Sequence, residues 1–236
     1  MHPQITTTLQ QLQALANPEK VLYKAQKFGI HAEQTLGIYQ ADLKALAQKL
    51  PASKELALGL YDTGIYEARI LCAKLFPIKE LEEAQMERWI QDFENWEICD
   101  TFCMGLFAKS PWAVAKIQAW ATRTREYEKR ASFATLAAYC MAAKKANNAA
   151  FDPFFALIEA AADDERLYVK KAVNWALRSM GKRNVDLHQL AKACANRLLQ
   201  RPAKSAQWIA KDALRQWNKP QYKYLDYPRA IYRPKA

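Results

Sequence analysis

Histidine and glycine are scarce in this 236-residue chain, with three and six residues respectively. The histidines are His2, His31 and His188, and none lies near a cysteine in sequence. The five cysteines (Cys72, Cys99, Cys103, Cys140 and Cys194) contain no C-x-x-C pair. A zinc site or a disulfide framework is therefore not expected, and no metal or cofactor is called for. Cys99 and Cys103 sit one helical turn apart and read as small core residues. So few glycines leave little room for tight hairpin turns, and no stretch alternates apolar and polar residues between such turns, so no strand is expected. Nor does any apolar run approach the ~18 residues that a membrane span needs. Residues 1–20 lack a basic region leading into an apolar one, so no export signal is expected. The expected setting is the cytoplasm, and the expected form is a monomer.

Apolar residues make up 51% of the chain, enough for a sizeable core. Its net charge of +11 is unevenly spread. Residues 1–115 carry 11 Lys/Arg against 14 Asp/Glu, whereas residues 116–236 carry 24 against 10. A basic excess confined to one half suggests a polyanionic partner, although a merely soluble basic surface would look the same.

Amphipathic periods near 3.6 residues recur along the whole chain, broken by Pro, Asn or Asp. They predict helices at about 3–15, 18–30, 40–50, 53–62, 65–76, 80–93, 95–108, 111–122, 126–145, 152–162, 166–181, 185–200 and 203–217. Five of these open with an aromatic: Tyr66, Trp96, Tyr127, Tyr168 and Trp208, spaced 30, 31, 41 and 40 residues apart. That is the length of a two-helix repeat of the HEAT or armadillo sort. Four of the five carry a cation three residues later: Arg69, Arg130, Lys171 and Lys211. Residues three apart share a helix face. The pattern predicts an all-α solenoid of antiparallel helix pairs, curved, with a basic concave face. A row of cations can track a phosphate backbone, and flanking aromatics can meet sugars or bases. The plainer reading makes the aromatics inter-repeat core, with the cations snorkelling past them.

Several stretches resemble one family. Asn17-Pro18-Glu19-Lys20 followed by Leu36-Gly37-Ile38, Asn95-Trp96-Glu97-Ile98-Cys99-Asp100, Tyr127-Glu128-Lys129-Arg130-Ala131 and the run from Tyr168 to Arg178 are similar to segments of the AlkD-like DNA alkylation repair proteins, built of HEAT-like repeats. The likeness spans residues 1–217, leaving residues 218–236 as a basic, aromatic, proline-broken tail. It implies excision of cationic N3- and N7-alkylated purines from double-stranded DNA. On that carry-over Trp96, Asp100 and Trp175 form the site, and Arg130 and Arg178 grip the backbone. Arg69, Lys170, Lys171 and Lys211 complete the expected DNA-binding set.

The scarcity of histidine suits this chemistry. A 3- or 7-alkylpurine already carries a positive charge and leaves as a neutral base, so no general acid is needed. What remains is to stabilise oxocarbenium character on the deoxyribose and to position a water, which one carboxylate can do. Asp100 lies four residues after Trp96, on the same helix face. An indole beside a cationic sugar or base adds ~0.5–2 kcal/mol. Two other readings use the same features: a non-catalytic module for distorted or branched DNA, and a protein-binding solenoid.

Overall fold

The computed structural model describes residues 3–228, so His2 and the last eight residues of the tail lie outside the described residues. Among the described residues there are thirteen α-helices and no strand. Two compact units divide the chain, Met1–Ser110 and Pro111–Ala236. The step in charge falls on that boundary, since residues 111–115 carry no charge at all.

The N-terminal unit holds α1 (Pro3–Ala14), α2 (Pro18–Phe28), α3 (Gln40–Ala47), α4 (Lys54–Tyr61), α5 (Tyr66–Leu75), α6 (Glu83–Gln91) and α7 (Trp96–Gly105). Its core centres on Trp89, whose ring lies 4.9 Å from Phe102 and 5.2 Å from Phe76. Helix starts follow from short polar side chains. Asn17, Ser53 and Asn95 each accept a backbone N–H of the following first turn, and such caps contribute about 1 kcal/mol apiece.

The loop between α2 and α3 is irregular yet fixed. Glu67 of α5, fully buried, accepts hydrogen bonds from the backbone N–H groups of Leu36 (2.8 Å), Gly37 (2.9 Å) and Ile38 (3.2 Å) and from the Thr35 hydroxyl (2.9 Å). One carboxylate thus replaces the ladder that the loop lacks. Gly37 has φ +75°, and a Cβ there would sit 2.2 Å from the Asn17 carbonyl oxygen. The Asn17 N–H in turn donates to the Leu36 carbonyl at 2.7 Å. The two halves of the opening motif therefore meet in space as a structural joint.

The C-terminal unit holds α8 (Ala113–Trp120), α9 (Glu126–Ala142), α10 (Asp152–Ala161), α11 (Leu167–Gly181), α12 (Val185–Leu199) and α13 (Lys204–Trp217). Helix α9 packs on α8 and α11, and α11 packs on α10, α12 and α13, so α9, α11 and α13 form one stacked row. Sandwiched in this way, α9 buries every residue from Arg130 to Ala138. Ala137 on α9 shares one buried cluster with Ala172 and Ala176 on α11, and these small side chains keep the layer between the two helices thin. Asp152 is already inside α10, because a 3-10 turn over Asn148–Phe151 runs straight into that helix.

Arg183, just past α11, is fully buried. Its guanidinium donates to the carbonyls of Cys140, Ala143 (3.1 Å) and Ala146 (3.0 Å) and lies 4.0 Å from the Phe151 ring centroid. It closes the carbonyl end of α9, where a cation is also favoured by the helix dipole. The described part of the tail, residues 218–228, is a strap. The Tyr222 hydroxyl donates to Gly181 O (2.8 Å), Leu225 N–H to Lys182 O (2.9 Å) and Tyr227 N–H to Arg183 O (3.0 Å).

Candidate nucleic-acid interface and active-site residues

In the N-terminal unit, α7 carries Trp96 and Asp100, both half-buried. The residues on either side of Trp96 are locked. Asn95 caps the helix and donates through Nδ2 to His31 O at 3.3 Å. Glu97 forms a buried ion pair with Lys24 of α2 (2.9 Å). The Tyr66 hydroxyl lies 2.9 Å from Glu97 Oε2 and 3.0 Å from Asn95 Oδ1. Burial, helped by the neighbouring Glu97 charge, pushes the Tyr66 phenol well above its usual value, so it stays a donor. Lys24 also reaches Ile38 O at 3.3 Å. Trp96 itself donates its indole N–H to Phe28 O at 2.9 Å, at the carbonyl end of α2. The indole is thus pinned by one edge, with its helix start held by a buried network.

Two of the expected cations do not face solvent. Arg69 pairs with Glu94 (2.9 Å), donates to Asp92 O (2.6 Å) and lies 5.2 Å from the Tyr61 ring centroid. Arg130 is buried, and donates to Tyr168 O at 2.6 Å. Both bind one repeat to the next. Tyr66 likewise belongs to the core, whereas Tyr127 and Tyr168 are half-buried against each other at 5.8 Å and Trp208 is 40% exposed.

The remaining candidates cluster on the adjacent helices α11 and α13. Lys171 and Lys211 are exposed, and Lys170 sets its ammonium 5.5 Å from the Trp208 ring centroid. Trp175 and Arg178, half-buried and one turn apart on α11, line the same cavity. Arg178 Nε stands 3.9 Å from Asp212 Oδ2 and makes no hydrogen bond, while Asp212 is held by Arg215. Trp96 and Asp100 thus belong to one unit, and Trp175 and Arg178 to the other. Not every cation in the basic half is available. Burial opposes the charge of Asp164, but Arg166 (2.6 Å) and Lys129 (3.0 Å) outweigh it and hold its carboxyl down at about 2, tying up both cations.

Residues 8–216 match the family described as DNA alkylation repair enzyme. The chain belongs to that family. A solved structure from a group described as related to the HEAT-like repeat DNA glycosylases, with affinity for branched DNA structures, is 23% identical. The match covers 90% of this chain and 94% of that one, with a TM-score of 0.70, so this family member has the HEAT-like repeat fold. A designed armadillo repeat protein is 15% identical over 76% of this chain and 93% of its own, with a TM-score of 0.34. No curated protein is similar enough to this chain to match it.

The buried Lys24–Glu97–Tyr66–Asn95 network escapes sequence reading. Lys24 sits in an ordinary amphipathic helix, where a lysine normally marks the solvated face. Nothing in the spacing pairs it with a glutamate 73 residues away. The signal for Lys182, Lys219 and Lys223 is only the basic bias of the C-terminal half, and what places them together at the Trp175 cavity is the strap.

Proposed function

We propose that this member of the DNA alkylation repair family is a glycosylase that excises cationic N3- and N7-alkylpurines from double-stranded DNA. The observation that carries the proposal is the Trp96–Asp100 pair on one face of α7, with the indole fixed through its N–H to Phe28 O. In the reaction the C1′–N bond breaks and its electron pair moves onto the cationic purine, which leaves neutral. Asp100 stabilises the positive charge growing on the sugar and takes the proton of the attacking water, whose oxygen bonds to C1′. Trp96 sets an aromatic face beside that charge. Within the C-terminal unit, Lys170, Lys171, Arg178 and Lys211 contact the DNA backbone, and Trp175 offers an aromatic face of its own to that DNA. Arg69 and Arg130, expected among those contacts, act instead by holding repeats together.

The decisive measurement is release of free 7-methylguanine from alkylated duplex by purified protein. Asp100→Asn keeps the shape and removes the charge, so the rate is expected to fall 10²-fold or more, while duplex affinity holds or rises slightly. Uncharged lesions such as hypoxanthine should remain uncut, because a neutral base needs a general acid to leave and this mechanism assigns none. A second reading, a non-catalytic module for branched DNA, is favoured by the described affinity of the structural relative. Good DNA binding by wild-type protein with no base release would establish it in place of the first.

A further inference from the structure

Beside Trp175 the strap closes a cavity of about 630 Å³, wholly within the C-terminal unit. Its size falls in the ~300–1,000 Å³ range of small-ligand sites. Four cations line it, Arg178 and Lys182 from α11 and its end, Lys219 and Lys223 from the strap, and no carboxylate does. Flat aromatic surface comes from Trp175 and Tyr224. Lys182, Lys219 and Lys223 are exposed at its rim, while Arg178 is half-buried, with its Nε 3.9 Å from Asp212 Oδ2 and too far for a hydrogen bond.

The cavity is built, not incidental. Tyr222 donates to Gly181 O, and its ring packs 5.6 Å from His188 and 5.4 Å from Tyr224. Leu225 and Tyr227 fix the strap's far end to the backbone of Lys182 and Arg183. The two strap lysines are therefore held on the same opening as the α11 pair. Like charges at one mouth repel one another, and an anion there relieves the repulsion.

We propose that this cavity takes one unpaired nucleotide of a DNA strand. The base lies against the Trp175 and Tyr224 rings, and its phosphates meet Arg178, Lys182, Lys219 and Lys223. This role of the cavity rests on the C-terminal unit being a DNA-binding surface, and it gives the strap a part in that surface. Cations spread along the rim suit the successive phosphates of a strand better than the single phosphate of a free nucleotide.

The test compares a plain 20-base-pair duplex with the same duplex carrying a three-nucleotide 5′ flap, for wild type and for the double variant Lys182→Ala/Lys223→Ala. Both lysines are exposed, and an unchanged Tm confirms folding. Wild type should prefer the flap by about tenfold. The variant should lose that preference while its duplex affinity stays within twofold. Its salt slope on the flap should fall by about 1.4, the value for two single-strand phosphate contacts. Trp175→Ala should weaken flap binding about five- to hundredfold through lost stacking. If wild type binds duplex well and shows no flap preference, the cavity assignment alone is overturned. So it is if the double variant loses both substrates equally. Failure of wild type to bind either DNA overturns the DNA-binding reading and the cavity with it. Quenching of tryptophan fluorescence by free dAMP as tight as that by the flap would overturn the strand assignment in favour of a free nucleotide.

Discussion

Arg130 and Lys211 occupy equivalent places in the aromatic–cation pattern, yet their environments assign them opposite work. Arg130 is buried and bonded to Tyr168 O, while Lys211 is open to solvent. Removing a buried, charged donor leaves its acceptor unpaired at a cost of roughly 1.5–3 kcal/mol. Arg130→Ala is therefore expected to lower Tm by several degrees. Lys211→Ala should leave Tm unchanged and reduce the salt slope of duplex binding by about 0.9. Thermal melts paired with salt titrations of both variants check this, and the same loss of slope in Arg130→Ala with no loss of Tm would reverse the assignment. Gly37 gives a sharper case. Gly37→Ala must fit a Cβ 2.2 Å from Asn17 O at a φ of +75°, so denaturant unfolding should show a loss of at least about 2 kcal/mol.

At the scale of elements, the carbonyl end of α9 and the strap share Arg183. Its ring neighbours include Tyr227 of the strap at 5.4 Å, and it feeds three carbonyls beyond or near the end of α9. Arg183→Met keeps most of the apolar stem and removes every donor, so a loss of at least about 3 kcal/mol in denaturant unfolding is expected. His188 adds a pH dependence to the strap. Its ring packs 5.1 Å from Trp217 and 5.3 Å from Tyr224, and Nδ1 lies 3.1 Å from Gly181 O, so the neutral ring carries its proton on Nδ1. Burial, reinforced by the nearby Lys192 charge, lowers its pKa below the ordinary 6.5, despite the opposing Gly181 hydrogen bond. A histidine that resists protonation when folded contributes stability that is present above 6.5 and lost as pH falls through the folded value. Tm should therefore decline below about pH 6.5, and His188→Phe should flatten that decline.

Over the whole molecule, charge and architecture divide at the same place. Residues 111–236 hold the basic excess, and the exposed candidate cations Lys171 and Lys211 stand there with Lys170 and Arg178 on neighbouring helices. Four phosphate contacts predict that log affinity for duplex falls with log salt at a slope of about −3 to −4. A slope near zero would remove the backbone-gripping role. The thirteen helices and the repeat spacing were legible in the sequence because amphipathic periods and polar caps are local properties, written within a turn or two of chain. Placement of Trp96 and Asp100 on one face follows from the same locality. Which cations face solvent was not legible. Arg69 and Lys171 stand at the same offset from an aromatic, and only the packing of Glu94 and Asp92 against the first makes it a joint between repeats. The strap was equally hidden, since its hydrogen bonds join residues about 40 positions apart. Local periodicity and charge bias thus determined the helices, the repeat and the basic half. Tertiary packing decided which polar groups are buried and paired and which are left for a ligand, because desolvation and long-range contacts exist only once the helices have stacked.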